Sequence, residues 1–163
     1  MTQQPVNSQP VSGAALNPRL QEIADDFHSV PDKDRLQLLL EFSQDLPPLP
    51  ERYAAHRDRM EPVPECQTQL FLAVEVEPDE VKGTVHLYFD APPEAPTTRG
   101  FAAILHAGLD GLDADEVLAT PPEFSSQLGL ADLVSPLRLR GMAAMLSRIK
   151  RQVREQRAGP QAP

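Results

Sequence analysis

Cys66 is the only cysteine among 163 residues, and it stands in the run Val63-Pro64-Glu65-Cys66-Gln67-Thr68-Gln69-Leu70-Phe71-Leu72. One thiol excludes an intramolecular disulfide, and it excludes a metal or cluster site built from several thiolates of one chain. Any sulfur chemistry at Cys66 must therefore pass to another molecule. A nucleophilic cysteine reacts as the thiolate, which nearby cations and backbone N–H donors favour. Glu65 acts in the opposite sense by like charge. A buried structural cysteine is the bland alternative, and the residues alone leave both open.

Other reactive side chains are scattered. Arg99 and Arg138 fall in the expected first turns of helices, where the macrodipole disfavours cations. Each is either solvated or held by an anion. His28, His56, His86 and His106 show neither metal-ligand spacing nor a shared helical face, so no metal site is expected. There is no GxGxxG and no phosphate-binding loop. Lys33, Lys82 and Lys150 are the only lysines, and no other sign of a pyridoxal site accompanies them. No cofactor of the chain's own is expected.

Composition narrows the partners. The chain is 40% hydrophobic with a formal net charge of -9, which fits a globular domain and not a disordered one. The acidic balance argues against nucleic acid and anionic membranes as partners and favours a basic patch on another protein. The opening residues lack the apolar core of a secretory signal, and no run is long enough to span a bilayer. With a single thiol, these features lead to an expectation of the reducing cytoplasm.

The elements that must position Cys66 follow from periodicity. Residues 1–16 read as a disordered tail. Asn17 and Pro18 suit the N-cap and first position of a helix carrying Leu20, Ile23, Ala24 and Phe27. A second helix starts near Asp32, with Leu36, Leu39, Leu40 and Ser43 on one face, and Pro47, Pro48 and Pro50 end it. Residues 52–59 read as a short helix or loop. Pro62 and Pro64 restrict any strand there to an edge. From Leu70 the period becomes two: Leu70, Leu72, Val74 and Val76 share a face. After a turn at Pro78-Asp79-Glu80, so do Val81, Gly83, Val85, Leu87 and Phe89. This predicts an antiparallel hairpin with one buried face. Thr97 or Thr98 caps a helix carrying Phe101, Ile104, Leu105 and Gly108. Asp113 with Glu116, and Thr120 with Glu123, fit capping boxes. Ser135-Pro136 opens a last helix with Met142, Met145, Leu146, Ile149 and Val153 as its stripe. The layout is α+β.

Several segments together resemble a known family. Leu46-Pro47, the Cys66 run quoted above, residues 89–100, and Ser135-Pro136-Leu137-Arg138-Leu139-Arg140-Gly141-Met142 are similar, in order and spacing, to SufE. SufE is the sulfur-accepting partner of the SufS cysteine desulfurase. The resemblance covers roughly residues 17–154. It implies a SufE/IscU-like α+β fold, a small three-stranded antiparallel sheet packed with N- and C-terminal helices, with the active cysteine at a loop tip beside the sheet. The acceptor domain would span residues 17–155, followed by a frayed tail over 156–163. Cys66 matches the sulfur-accepting cysteine and Arg138 the arginine of the Ser-Pro-x-Arg motif. Glu94-Ala95 stands where Asp-Ala is common, and Arg99-Gly100 matches the family's Arg-Gly. Gln67 belongs to the Cys-Gln piece and joins Arg138, Glu94 and Arg99 as supporting residues. The chain departs from the family at Glu65, where Gly is frequent, at Thr68 in place of Ser, and at Pro93 in place of Ser.

The resemblance implies a persulfide carrier and not an enzyme in its own right. Cys66 would take sulfur from a SufS-like cysteine desulfurase, whose pyridoxal phosphate supplies the lyase chemistry, and stimulate its turnover. It would then pass the sulfur to a SufB-like scaffold for iron–sulfur cluster assembly. Two other readings stay open: a CsdE-like acceptor for a different desulfurase, and a non-catalytic acidic adaptor in which Cys66 is structural.

Overall fold

The computed structural model describes residues 16–78 and 83–157. The tip of the expected hairpin at 79–82 and most of both expected tails, residues 1–15 and 158–163, lie outside the described residues. Leu16 is buried in the main core. Gln156 and Arg157 continue the last helix.

Helix α1 (Pro18–Ser29) starts as its sequence dictates. Asn17 Oδ1 accepts from the amides of Arg19 (2.9 Å) and Leu20 (3.1 Å), with proline at the first position. Leu20, Ile23, Ala24 and Phe27 are buried. Helix α2 (Asp32–Gln44) buries a narrower stripe than its leucines suggest. Leu39 and Ser43 are inside, and Leu38 and Phe42 pack against the core. Leu36, expected on the buried face, is 39% exposed. The reason is the neighbour. Helix α4 (Pro96–Leu109) meets α2 at Gly100, where an added Cβ would lie 2.6 Å from the Leu39 carbonyl oxygen. A helix pressed so closely along one line buries only the residues beside that line.

The sheet is three-stranded and antiparallel in the order β1-β2-β3. Strand β1 (Glu61–Pro62) is a two-residue edge against Leu72 and Phe71, as the prolines require. Strands β2 (Phe71–Val76) and β3 (Val85–Asp90) pair from Phe71↔Asp90 to Val76↔Val85. Leu72, Val74, Val85, Leu87 and Phe89 point into the main core. The opposite face is not simply solvated. Helix α3 (Glu51–Ala54) and the segment after it fold over that face, and Tyr53, Met60 and Ala73 form a second small cluster with Phe71 and Tyr88 around it. Glu75 is tied there by Arg52 (2.8 Å) and the Tyr53 hydroxyl (2.7 Å).

Strand β1 covers only the first part of the β2 edge. The rest is closed by side-chain amides of helix α6 (Pro136–Arg157). Gln152 Oε1 accepts from Val74 N (3.2 Å) and Gln156 Oε1 from Val76 N (2.9 Å), while Gln156 Nε2 donates to Val74 O (2.5 Å). These amides stand in for a missing strand and leave fewer unpaired edge groups.

Two helix starts differ from the sequence expectation. Helix α4 begins at Pro96, whose ring presets the first helical φ, and Thr98 is buried within the helix instead of capping it. Helix α5 (Ala114–Leu118) has its expected cap, Asp113 Oδ1 accepting from Glu116 N at 2.9 Å. Thr120, by contrast, turns its hydroxyl back onto Glu116 O (3.2 Å), and only a 3₁₀ turn, Phe124–Leu128, follows. Helix α6 buries Met142, Met145, Leu146, Ile149 and Val153, the stripe read from the sequence.

Gly100→Ala tests the α2–α4 contact. The added methyl meets backbone as well as side-chain atoms of Leu39. Overpacking of about 1–3 kcal/mol should therefore outweigh a helix-propensity gain of about 1 kcal/mol. The denaturation midpoint should fall, and an unchanged or raised midpoint would show slack between the two helices.

Candidate functional site

The Cys66 turn is closed at its base where Val63 N donates to Leu70 O (2.9 Å). Inside it, Pro64 opens a single 3₁₀ turn, Pro64–Cys66, with Cys66 N bonded to Val63 O (3.1 Å) and Gln67 N to Pro64 O (3.0 Å). Gln67 reverses the chain in the left-handed region at φ 58°, the one non-glycine residue with positive φ among those described. That conformation costs a residue with a Cβ about 1–2 kcal/mol. Strain of this kind concentrates at functional sites.

The turn directs the Cys66 side chain inward, onto α6. At Gly141 an added Cβ would lie 3.1 Å from Cys66 Sγ and 3.2 Å from its Cα, so the absence of a side chain there is what lets the turn seat. The thiol donates to Gly141 O at 3.6 Å, and Cys66 is 7% exposed. Burial pushes the thiol up from its ordinary 9.0 to about 12, Glu65 adds to the rise and Arg148 opposes it. The resting group is therefore a sheltered thiol.

Arg148, seven residues and about two helical turns beyond Gly141, lies on the same face of α6. Its guanidinium grips Glu65 at both oxygens, Nη2 to Oε1 at 2.9 Å and Nη1 to Oε2 at 3.0 Å. This holds the Glu65 carboxyl below the usual range. Arg148 Nε lies 3.0 Å from Glu61 Oε2, an ion-pair contact without hydrogen-bond alignment. Glu61 also receives Arg151 and the amide of Gln152 (2.9 Å). Strand β1 and the Cys66 turn are thus fastened to one helix face.

A cleft of about 130 Å³ opens beside the thiol, lined by Cys66, Gln67, Thr68, Leu137 and Arg138. Leu137 is 41% exposed at its rim. Arg138 is exposed, its amide bonded to the Ser135 hydroxyl at 3.3 Å. Thr68 Oγ1 is buried with no hydrogen-bond partner among the described residues. Of the residues singled out from sequence, Cys66, Gln67 and Arg138 come together here. Glu94 is exposed in the loop after β3, and Arg99 braces that loop through Ala91 O (2.6 Å); neither lines the cleft. No Arg138–Glu94 ion pair exists among the described residues. Arg148 gave no signal in the sequence, and Gly141, though part of the Ser135–Met142 motif, gave none of its packing on Cys66. Their seven-residue spacing placed them on one face, but nothing in the sequence revealed that the Cys66 turn lies on it.

The histidines serve elsewhere. His86 and His106 flank Asp110 at 3.9 and 3.7 Å, and His28 meets Gln127 O at 2.7 Å. Among the described residues no group of His, Cys, Asp and Glu is arranged to hold a metal ion. No described helix is long and apolar enough to cross a membrane.

Residues 21–153 match the SufE family, described as an Fe-S metabolism associated domain. A SufE-like protein of Mycobacterium tuberculosis is 55% identical over 143 residues, 87% of this chain and 96% of that protein. The cysteine desulfuration protein SufE of Plasmodium falciparum is 24% identical over 148 residues, 90% of this chain but 58% of the relative. A solution structure of a hypothetical protein from Thermus thermophilus superposes with a TM-score of 0.77 at 39% identity, covering 89% of this chain and 100% of that one.

The buried thiol makes a prediction in pH. In the free protein, alkylation of Cys66 should keep accelerating toward pH 12 and not level off near 9.0. Because the folded value is raised, stability from the protonated thiol is complete below pH 9.0 and is lost as pH climbs toward 12, the unfolded chain ionising first. Cys66→Ala should lack that part of the alkaline loss. Alkylation that saturates near pH 9.0 in the native protein would show an exposed, ordinary thiol.

Proposed function

The chain belongs to the SufE family, and from that membership we propose that Cys66 accepts sulfur from a cysteine desulfurase persulfide and carries it toward iron–sulfur cluster assembly. The observation that carries this reading is the lone thiol seated at the head of a cleft shared with Gln67, Thr68 and Arg138. The family's association with Fe–S metabolism and the name of the Plasmodium relative support the sulfur-acceptor role.

The step is a thiol–persulfide exchange. Cys66 loses its proton and its thiolate attacks the outer sulfur of the donor persulfide. A new S–S bond forms on Cys66 as the donor S–S bond breaks, and the donor cysteine leaves as a thiolate that recovers a proton. No external oxidant or reductant is required. Arg138 at the cleft stabilises the anionic sulfur. The Thr68 hydroxyl, with no protein partner among the described residues, is available to donate to it. With one cysteine in the chain, the Cys66 persulfide cannot collapse to an internal disulfide. Burial against α6 shelters it from reductants. The pyridoxal phosphate that generates the persulfide belongs to the desulfurase, and the receiver is a SufB-like scaffold.

After incubation with a SufS-type desulfurase, cysteine and pyridoxal phosphate, the intact mass should rise by whole sulfur atoms and return on reduction. Cys66→Ser should gain none and should not stimulate the desulfurase. Equal stimulation by both proteins would leave the carrier reading untenable.

Arg138→Ala should slow sulfur acceptance about tenfold, the effect of losing a charge-assisted contact worth about 1.4 kcal/mol in the transition state. Its melting temperature should hold, since the side chain is exposed. Wild-type acceptance in this variant would make Arg138 a solvated surface residue.

A further inference from the structure

The Cys66 turn packs closely on α6, but few polar contacts hold it there. Its backbone hydrogen bonds to Val63 and Pro64 are internal to the turn and do not reach the helix. The thiol-to-Gly141 contact, at 3.6 Å, is weak. Among the described residues, the only side-chain ion pair from this turn to α6 is Glu65 with Arg148, bidentate at 2.9 and 3.0 Å. Glu65 is the residue immediately before Cys66, so releasing it frees the backbone that carries the thiol. Its side chain is 45% exposed, whereas that of Arg148 is 20% exposed and is also held by Glu61. The pair is thus asymmetric, with a fixed cation on the helix and a reachable carboxylate on the turn. Gln67, on the other side of Cys66, holds its left-handed conformation within the turn itself.

We propose that Glu65 and Arg148 form a latch that positions the Cys66 turn on α6, and that delivery of the thiol to a donor persulfide requires this pair to open. Glu65 swings out with the turn while Arg148 stays on the helix with Glu61. Opening lifts Cys66 from Gly141 and exposes the floor of the cleft. Glu65 and Arg148 act through Cys66 and are positioning residues. An exposed ion pair weights such an equilibrium only a few-fold, so a docking partner can open it without unfolding the domain. This inference rests on the sulfur-acceptor reading of Cys66.

Amide hydrogen exchange of the full-length protein, read by mass spectrometry on a peptide spanning residues 63–70, tests the latch directly. Glu65→Gln and Arg148→Gln should each speed exchange in this segment about threefold to fivefold, with α4 peptides and the melting temperature unchanged. Arg148→Lys, which keeps the charge, should restore part of the protection. Glu65→Gln should also gain sulfur faster than wild type at limiting desulfurase. Unchanged exchange over 63–70 in both glutamine variants overturns the latch, as does acceleration spread over the whole chain with a lowered melting temperature. Faster local exchange with unaltered sulfur gain overturns the claim that opening limits delivery. If wild type takes up no sulfur at all, the acceptor reading fails, whereas the exchange result still reports on the turn.

Discussion

The close approach of α6 to the Cys66 turn at Gly141 is the contact on which the rest of the site depends. A side chain there would meet both the sulfur and the Cα of Cys66. Without one, the turn seats on the helix and the thiol is buried, and later residues on that face fall into register with useful partners. Arg148 reaches Glu65 and Glu61, and Gln152 and Gln156 reach the open edge of β2. Helical spacing makes these contacts a single row, because residues three, four and seven apart share a face. One helix therefore holds the thiol, fastens β1 and completes the sheet.

That arrangement sets shelter against reactivity. A sulfur carrier needs a thiolate to attack and a dry site to keep what it has taken. Seated on α6, Cys66 is buried and lies beside the Glu65 carboxylate, and burial first and the carboxylate second favour the protonated form. Protection is the condition of the seated turn, and the latch we propose assigns nucleophilicity to a state in which the turn has moved. The strain at Gln67 and the exposed rim of Leu137 and Arg138 lie at the same cleft.

The sheet shows how local patterning can be right about one face and incomplete about the other. Alternation in β2 and β3 placed Leu72, Val74, Leu87 and Phe89 inward correctly. It left Phe71, Ala73 and Tyr88 on a face expected to be wet. Tyr53 and Met60 cover that face, and Arg52 stacks over the rings of Tyr53 and Tyr88 at 5.3 and 5.1 Å. Residues 52–59 carry many charges and gave little periodic signal, so their role as a lid over the second cluster was invisible until the chain was folded. The same limit explains Leu36, an apolar residue on a predicted face that the α2–α4 line of contact leaves outside.

What the sequence by itself determined is whatever depends on near neighbours in the chain. The Asn17-Pro18 start, the Asp113 cap, the proline-limited edge strand, the period-two hairpin and the α6 stripe are all local rules, and the structure follows them. The lone thiol and its SufE-like surroundings were equally plain, since they are matters of residue identity. The tertiary structure alone decided which cation pairs with the carboxylate beside Cys66. Arg138 drew notice by its motif and does reach the cleft, but Arg148, far along the chain from Cys66, makes the pair with Glu65. Glu94 and Arg99, grouped with Arg138 as supporting residues in the family pattern, stay with their own loop. Burial, ion pairing and the rise in the thiol's pKa all come from distance in space, which depends on how α6 crosses the sheet, and no local rule of sequence encodes that crossing.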